Sequence, residues 1–203
     1  EDSSTGGEGP PRMIGLALLE AQAKDGALEL RVVRDREKLE LDLELPKLPS
    51  LKKDFPLACE RSTQLMELCA DWLVRSQNTS GGFPGRTYSS AFSGLALLAT
   101  GESRYLPTVK LTAEFLDKLV QDKGVPDSNW HACAIGIFLA EYILATGDES
   151  SLESIKKCCQ GIAERIDKST GRLGHSGVSL PYEGKGLFIT SAHAHLMWAW
   201  AEK

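Results

Sequence analysis

Apolar and polar residues alternate strictly over two short stretches near the start of the chain. Side chains of a strand point to opposite faces in turn, so this alternation predicts two half-buried antiparallel strands. The apolar positions are Leu28, Leu30 and Val32 in the first strand, and Leu39, Leu41, Leu43 and Leu45 in the second. The polar link 34–37 suits a hairpin turn. A helix over residues 13–23 precedes the strands and ends before Gly26.

After residue 60 the apolar period becomes helical. Three amphipathic helices are predicted, over 65–73, 109–120 and 152–166. Between and after them lie segments that are apolar on nearly all sides, over 91–99, 132–145 and 192–201. Such a helix must be covered by other helices or line an apolar cavity. The alternation predicts two layers, with amphipathic helices outside and apolar helices inside.

An internal repeat supports this arrangement. The motif LLATGES beginning at Leu97 recurs as ILATGDES at Ile143, an offset of 46 residues. Under the same offset Phe92 maps onto Phe138, and Gly94 maps onto Ala140. A period of this length with two helices per unit is typical of helical repeat arrays.

Composition narrows the class of protein. The apolar fraction of 42% and the charged fraction of 25% are those of a soluble globular protein. The net charge of −5 argues against nucleic acid as a partner, and no apolar run is long enough for a transmembrane segment. The five cysteines are an odd number without a CxxC pair, which favours reduced, buried thiols. The compartment stays open, and a soluble protein, periplasmic or secreted in its full-length form, is expected.

A turn motif between the first two predicted helices of the repeat carries a family resemblance. The segment beginning at Trp72 reads W-L-x-x-S-Q-N-x-x-G-G-F, with a weaker echo at 171–174. It resembles the repeat of α/α-toroid proteins, which include terpenoid cyclases and protein prenyltransferase β-subunits. The resemblance implies a mainly α fold in which residues 60–203 form three helical hairpins of a toroid. Further hairpins, or self-association with another copy, would close the ring.

The N-terminal segment 12–46 carries a second resemblance. GLALLEAQAKDGALELRVVRDREKLELDLELP, beginning at Gly15, is similar to the last helix and last two strands of PDZ domains in bacterial proteases. This implies a small α+β PDZ-like piece, a helix plus a β-hairpin, ahead of the toroid. The combination resembles an uncharacterised bacterial family. Residues 1–11 and 47–59 are predicted to be disordered or linkers.

Candidate site residues fall in the inner-layer parts of the repeat, because toroid ligands occupy the central cavity. The candidates are Tyr88, Asp127, Trp130, His131, Glu141, His175, Tyr182 and His193. His193 and His195 form an HxH pair, but residues two apart on a helix point about 200° apart and do not share a metal ion. No metal and no cofactor is predicted.

Each candidate also has a structural interpretation. Asp127 or Ser128 suits a helix N-cap, which would leave Trp130 at the cavity rim for packing or for substrate. Glu141 is either a buried acid with a catalytic role or the partner of a neighbouring residue. The long loop 171–186 carries His175 and Tyr182, and it suits either a connection or a cavity mouth for carbohydrate or peptide.

Two function hypotheses follow. The first is a module that binds a ligand or a partner on its concave inner-helix face. The alternative is an enzyme whose active site lies in the toroid cavity and acts on a polysaccharide, a peptide or an isoprenoid. An enzyme requires acid or base side chains that converge in one pocket.

Overall fold

The computed structural model describes residues 10–46, 59–85, 87–178 and 186–203. These residues form seven α-helices and one two-stranded sheet, so the protein is mainly helical, as the sequence predicts. None of the described helices combines the length and the apolar composition that a bilayer span needs. The chain divides into two compact units, Glu1–Leu68 and Cys69–Lys203.

The first unit contains one helix and a β-hairpin. Helix α1 (Pro10–Ala23) contacts strand β1 (Ala27–Arg34), which pairs antiparallel with β2 (Glu37–Glu44). The helix begins at Pro10, inside the segment predicted as linker, because proline suits the first turn of a helix. Residues 1–9 and 47–58 lie outside the described residues, so the predicted domain boundaries stay predictions.

The hairpin turn forms at the predicted place. Asp35 and Arg36 have φ values of 53° and 69°, so both lie in the left-handed region, as a two-residue type I′ turn requires. On β1 the predicted apolar residues are half-buried and their neighbours are exposed. The second strand buries less, since Leu41 and Leu43 are 37% and 38% exposed. The prediction of two paired strands is confirmed, although the buried face is shallow on β2.

Six further helices follow in the order that the sequence predicts. They are α2 (Glu60–Ser76), α3 (Thr87–Ala99), α4 (Leu106–Lys123), α5 (Asn129–Thr146), α6 (Leu152–Glu164) and α7 (Phe188–Ala201). Helix α5 contacts α3, α4, α6 and α7, and α4 also contacts α6. The all-apolar helix α5 is therefore buried among four neighbours, while the amphipathic helices α4 and α6 keep an exposed side.

The Gln–Gly motif forms the turn between α2 and α3 and packs this turn against α4. The Gln77 Nε2 atom lies 3.1 Å from the Gly81 carbonyl oxygen, 2.9 Å from that of Thr108 and 2.9 Å from Thr112 Oγ1. Gly81 has a φ of 90°, and a Cβ atom there would lie 2.1 Å from the Leu111 carbonyl oxygen. Only glycine lets the turn come this close to α4, which explains the motif physically.

The repeated TGES and TGDES segments adopt the same local structure. Gly101 and Gly147 have left-handed φ values of 70° and 73°, and each is followed by a 3₁₀ turn, Ser103–Tyr105 or Glu149–Ser151. Ser150 and Glu153 have the spacing of a capping box, which predicts that Ser150 caps α6, but this prediction is wrong. The Asp148 carboxylate accepts the Ser150 N–H at 3.1 Å, and the extra turn moves the start of α6 to Leu152.

The apolar helices α3, α5 and α7, which we call the inner helices, cross at glycines. These crossings correct the predicted equivalence of Gly94 with Ala140. A Cβ atom on Gly94 of α3 would lie 2.3 Å from the Phe138 ring of α5, and one on Gly136 of α5 would lie 2.4 Å from Met197 Sδ of α7. Gly94 is therefore equivalent in packing to Gly136, 42 residues later, and not to Ala140. The offset differs because α5 has 18 residues and α3 has 13, about one turn more.

The apolar residues of α2 recur at helical spacing and predict one buried stripe, formed by Leu65, Leu68, Cys69, Trp72 and Leu73. The helix turns a different face to the core. Ala70 is buried and Leu73 packs against the core cluster. Cys69 and Trp72 are exposed, and Trp72 retains 59% of its accessible surface. The core cluster contacts the Ala70–Leu73 side, so the predicted burial of Trp72 is wrong in the described structure.

The α3–α5 crossing predicts a large effect of one added methyl group. Gly94→Ala should lower the free energy of unfolding by ~1–3 kcal/mol, because the new Cβ would overlap the fully buried Phe138 ring. Ser93→Ala, at the half-buried neighbouring position, is the control and should change it by less than ~0.5 kcal/mol. Urea unfolding followed by circular dichroism measures both. Equal stabilities of the two variants would contradict a close crossing at Gly94.

Candidate functional site

A pocket lies where α3 and α5 begin, beside the loop that follows α6. Its volume is about 610 Å³. It is lined by Tyr88, Ser89, Ser128, Trp130, His131, His175 and Ser176, and we call it the inner-end pocket. Four of these residues were candidates from the sequence, and they come from three separate segments of the chain. Five of the seven lining residues lie in the first turn of α3 or α5 or at the cap of α5, so backbone geometry fixes where they point.

His131 forms the α3–α5 side of the pocket. Its Nδ1 atom lies 2.9 Å from Thr87 Oγ1, and its ring centroid lies 6.1 Å from that of Tyr88. The imidazole therefore has a polar and an aromatic neighbour at the start of α3. These contacts hold the ring at the rim of the pocket, where it is half-buried.

Trp130 and His175 form the opposite side. The Trp130 indole N–H donates to His175 Nδ1 at 3.0 Å. Because Nδ1 accepts this bond, the neutral imidazole carries its proton on Nε2, which is then available as a donor. An imidazolium carries a proton on both ring nitrogens and could not accept the indole N–H. The hydrogen bond from Trp130 to His175 therefore requires a neutral His175 ring.

His193 completes a cluster of aromatic rings around Trp130. Its ring meets the indole edge-on, with centroids 5.5 Å apart. Its Nδ1 atom lies 2.8 Å from the Ile189 carbonyl oxygen, which can only accept, so Nδ1 carries the proton. The neutral His193 ring therefore presents Nε2 as an acceptor, the reverse of His175.

The loop that carries His175 is tied by its backbone to the start of α5. Ser128 and Ser176 form an antiparallel bridge. The Asn129 N–H donates to the His175 carbonyl oxygen at 2.9 Å, and the Gly177 N–H donates to that of Asp127 at 3.1 Å. These bonds fix the position of His175 along the axis of α5, beside Trp130.

A buried asparagine reinforces this tie, and the sequence analysis missed it. Asn129 is fully buried, and its Nδ2 atom donates to the carbonyl oxygens of Gly174 and Gly177 at 3.0 and 3.1 Å. Arg165 donates to Asn129 Oδ1 at 3.3 Å and to the Pro126 carbonyl oxygen at 2.7 Å. An amide can bond two carbonyls and a guanidinium at once, which suits it to a buried junction. The only sequence signal was its place between Ser128 and Trp130.

The acidic candidates lie apart from the pocket lining. Ser128, not Asp127, occupies the N-cap position of α5, and its side chain makes no capping bond, so the expected cap contact is absent. Asp127 is exposed and contributes its carbonyl to the loop. Glu141 accepts the indole N–H of Trp200. It follows His131 by ten residues, which is ~15 Å along the helix. Tyr182 lies outside the described residues.

The HxH residues point to different neighbours, as helical geometry requires. His193 contacts Trp130, whereas His195 contacts Trp198, with ring centroids 5.6 Å apart. In the described parts of the chain, no three His, Cys, Asp or Glu side chains are grouped closely enough to hold a metal ion.

The thiols near the pocket are not suited to nucleophilic chemistry. Cys133 follows His131 by two residues and lies fully buried in the core. Burial, together with the nearby Cys159, raises the pKa of Cys133 to about 12, and burial likewise raises the pKa of Cys158 to about 12. At neutral pH both stay protonated, and a thiol is a far weaker nucleophile than a thiolate.

The described residues form a mainly helical protein with a histidine-rich, aromatic pocket where α3 and α5 begin. Residues 62–197 match a family described as a domain of unknown function (DUF6288). The match covers about two thirds of the chain, so the chain belongs to this family. No curated protein and no solved structure matches the chain. These comparisons give no support to the toroid and PDZ resemblances.

The buried junction at Asn129 predicts a local effect on the pocket. Asn129→Ala should lower the free energy of unfolding by ~1–3 kcal/mol, because two carbonyls and a guanidinium lose a partner. It should also speed hydrogen exchange at the Gly177 amide. Thr112→Ala is the matched control, since Thr112 is equally buried but bonds to Gln77 and Thr108.

Amide exchange by NMR separates the two variants. The control should lose stability without faster exchange at Gly177, relative to each variant's own unfolding. If both variants changed exchange at Gly177 to the same extent, Asn129 would have no specific part in holding the loop.

Proposed function

We propose that the inner-end pocket is a ligand site and that the chain is a ligand-binding module built on a segment of an α/α-toroid. The toroid interpretation is supported by the alternation of amphipathic and apolar helices and by the repeated junctions at Gly101 and Gly147. The turn at Gln77 supports it too, because the segment that resembles the toroid repeat packs this turn against α4. The PDZ-like origin of residues 12–46 and a periplasmic or secreted location remain predictions from the sequence.

The observation that carries the proposal is the convergence around Trp130. Tyr88, His131 and His175 line one pocket with it, and His193 packs on its edge. Two histidines, His175 and His193, contact the Trp130 ring, and His131 lines the same pocket. Such a cluster is costly as mere packing, because each imidazole needs a polar partner. His131 and His175 line the pocket, so their ring nitrogens are placed to reach a ligand.

The chemistry of the lining favours a neutral, hydroxyl-bearing ligand. Trp130 and Tyr88 offer aromatic surface, which packs well on the apolar faces of sugar rings. Hydroxyl groups of Ser89, Ser128 and Ser176 can each donate and accept. Among the residues that the structure describes, no lysine, arginine, aspartate or glutamate lines the pocket. Carbohydrate is thus the preferred class, ahead of peptide, and an apolar isoprenoid fits the polar lining least well.

One observation favours a catalytic alternative. His131 and His175 line the same pocket, and two imidazoles can serve as general acid and general base. The substrate would again be a polysaccharide or a peptide. Cleavage of an oligosaccharide or a peptide by the wild-type protein would favour this alternative over simple binding, provided that His175→Ala abolishes the cleavage.

Titration with a defined panel tests the binding proposal. The panel consists of neutral di- to hexasaccharides, uncharged peptides of similar size and isoprenoid alcohols, with calorimetry as the readout. At least one oligosaccharide should bind, and Trp130→Ala should weaken it by about tenfold or more, as for a buried aromatic anchor. Trp72→Ala is the control, because Trp72 is exposed and lies outside the pocket. Binding that is equally insensitive to both substitutions, or absent across the panel, would refute the proposed site.

A further inference from the structure

The three inner helices share one packing register. Counted from the first residue of each helix, Gly94 of α3 and Gly136 of α5 both occupy position 8. The residues they meet, Phe138 of α5 and Met197 of α7, both occupy position 10. Each inner helix therefore packs on the next one in the same way, position 8 against position 10.

This register gives every inner helix two opposite faces. We call positions 5, 8 and 12 the leading face and positions 6 and 10 the trailing face. At 100° per residue the two sets point about 150° apart. On α5 both faces are buried, with Cys133, Gly136 and Ala140 on the leading face and Ala134 and Phe138 on the trailing face.

The corresponding faces at the two ends of the array are exposed. On α7 the leading face consists of Ala192, His195 and Ala199, all exposed. On α3 the trailing face consists of Phe92, which is 38% exposed, and Ala96, which is also exposed. None of these five residues is an aspartate, a glutamate, a lysine or an arginine. Both faces have the chemistry of a helix contact but are uncovered within the described residues.

We propose that these two faces dock on each other between copies of this chain, the leading face of α7 against the trailing face of α3. The register indicates the occupant. At position 8 against position 10, the two internal crossings pair a small with a large side chain, Gly94 with Phe138 and Gly136 with Met197. The junction between copies would pair His195 at position 8 with Ala96 at position 10. The large side chain would then stand on the leading face and the small one on the trailing face, the reverse of the internal crossings.

The contact is head-to-tail, so each copy offers one face and accepts the other. Two copies could satisfy both faces at once if the rotation closes, which would give a ring of six inner helices; otherwise longer assemblies form. Ile189 of the second copy, at position 2 of its helix, would lie beside Ser89 at position 3. Tyr88 and His131 hold the same two positions at the internal junction. The inner-end pocket would then gain an apolar wall from the partner.

Sedimentation over 1–100 µM of the whole chain tests the proposal. The wild-type protein should sediment with at least twice the mass of one chain at the upper concentrations. Ala192→Glu and Ala96→Glu should each weaken association at least tenfold, because each places a carboxylate in an apolar contact. Ala163→Glu is the matched control at an exposed position of α6 and should associate like wild type. Circular dichroism verifies that all variants are folded.

Mixing the two single variants gives the decisive readout. A mixture of Ala192→Glu with Ala96→Glu retains one undamaged pair of faces, so a dimer should reappear that neither variant forms alone. A symmetric contact of α7 with α7 would not be rescued in this way, and that result would overturn the head-to-tail junction. A wild-type chain that is monomeric at 100 µM would overturn the proposal, as would association that both variants leave unchanged.

Discussion

The burial of α5 from Ala132 to Ala140 is the constraint on which the second unit depends. A helix that is apolar on nearly all sides needs neighbours all round, and α3 and α7 can approach closely only where a side chain is missing. Gly94 and Gly136 provide those gaps, filled by Phe138 and Met197. The same crossings set the relative height of the helices. They thus determine which residues meet at the helix starts.

The pocket is a consequence of this alignment. With the inner helices in register, Tyr88 and Trp130 both stand at position 2, and His131 follows at position 3. The loop after α6 then has to cross the start of α5, where Asn129 bonds its backbone. That junction brings His175 onto the Trp130 indole. A site of four residues from three distant segments of the chain therefore arises from two glycine crossings and one buried amide.

Periodicity predicted the elements well because it reflects burial directly. The hairpin, the apolar helices and the order of the helices along the chain follow from residue spacing alone. Details that depend on partners distant in sequence were missed. The apolar stripe at Trp72 did not reveal which side of α2 meets the core, and the repeat motif gave an offset of 46 where the crossings use 42. Candidate histidines could be named from the toroid resemblance, but the role of Asn129 depends on Gly174 and Arg165, far along the chain.

The Trp130 indole holds His175 with its proton on Nε2, and the Ile189 carbonyl holds His193 with its proton on Nδ1, so the two rings beside Trp130 are in opposite tautomers. Long-range proton–nitrogen NMR of the imidazole side chains at pH 8 tests this most directly. We expect His175 to be protonated on Nε2 and His193 on Nδ1, with the His175 pattern lost in Trp130→Phe, which cannot donate. Both histidines in the same averaged state, unaffected by that substitution, would contradict the account.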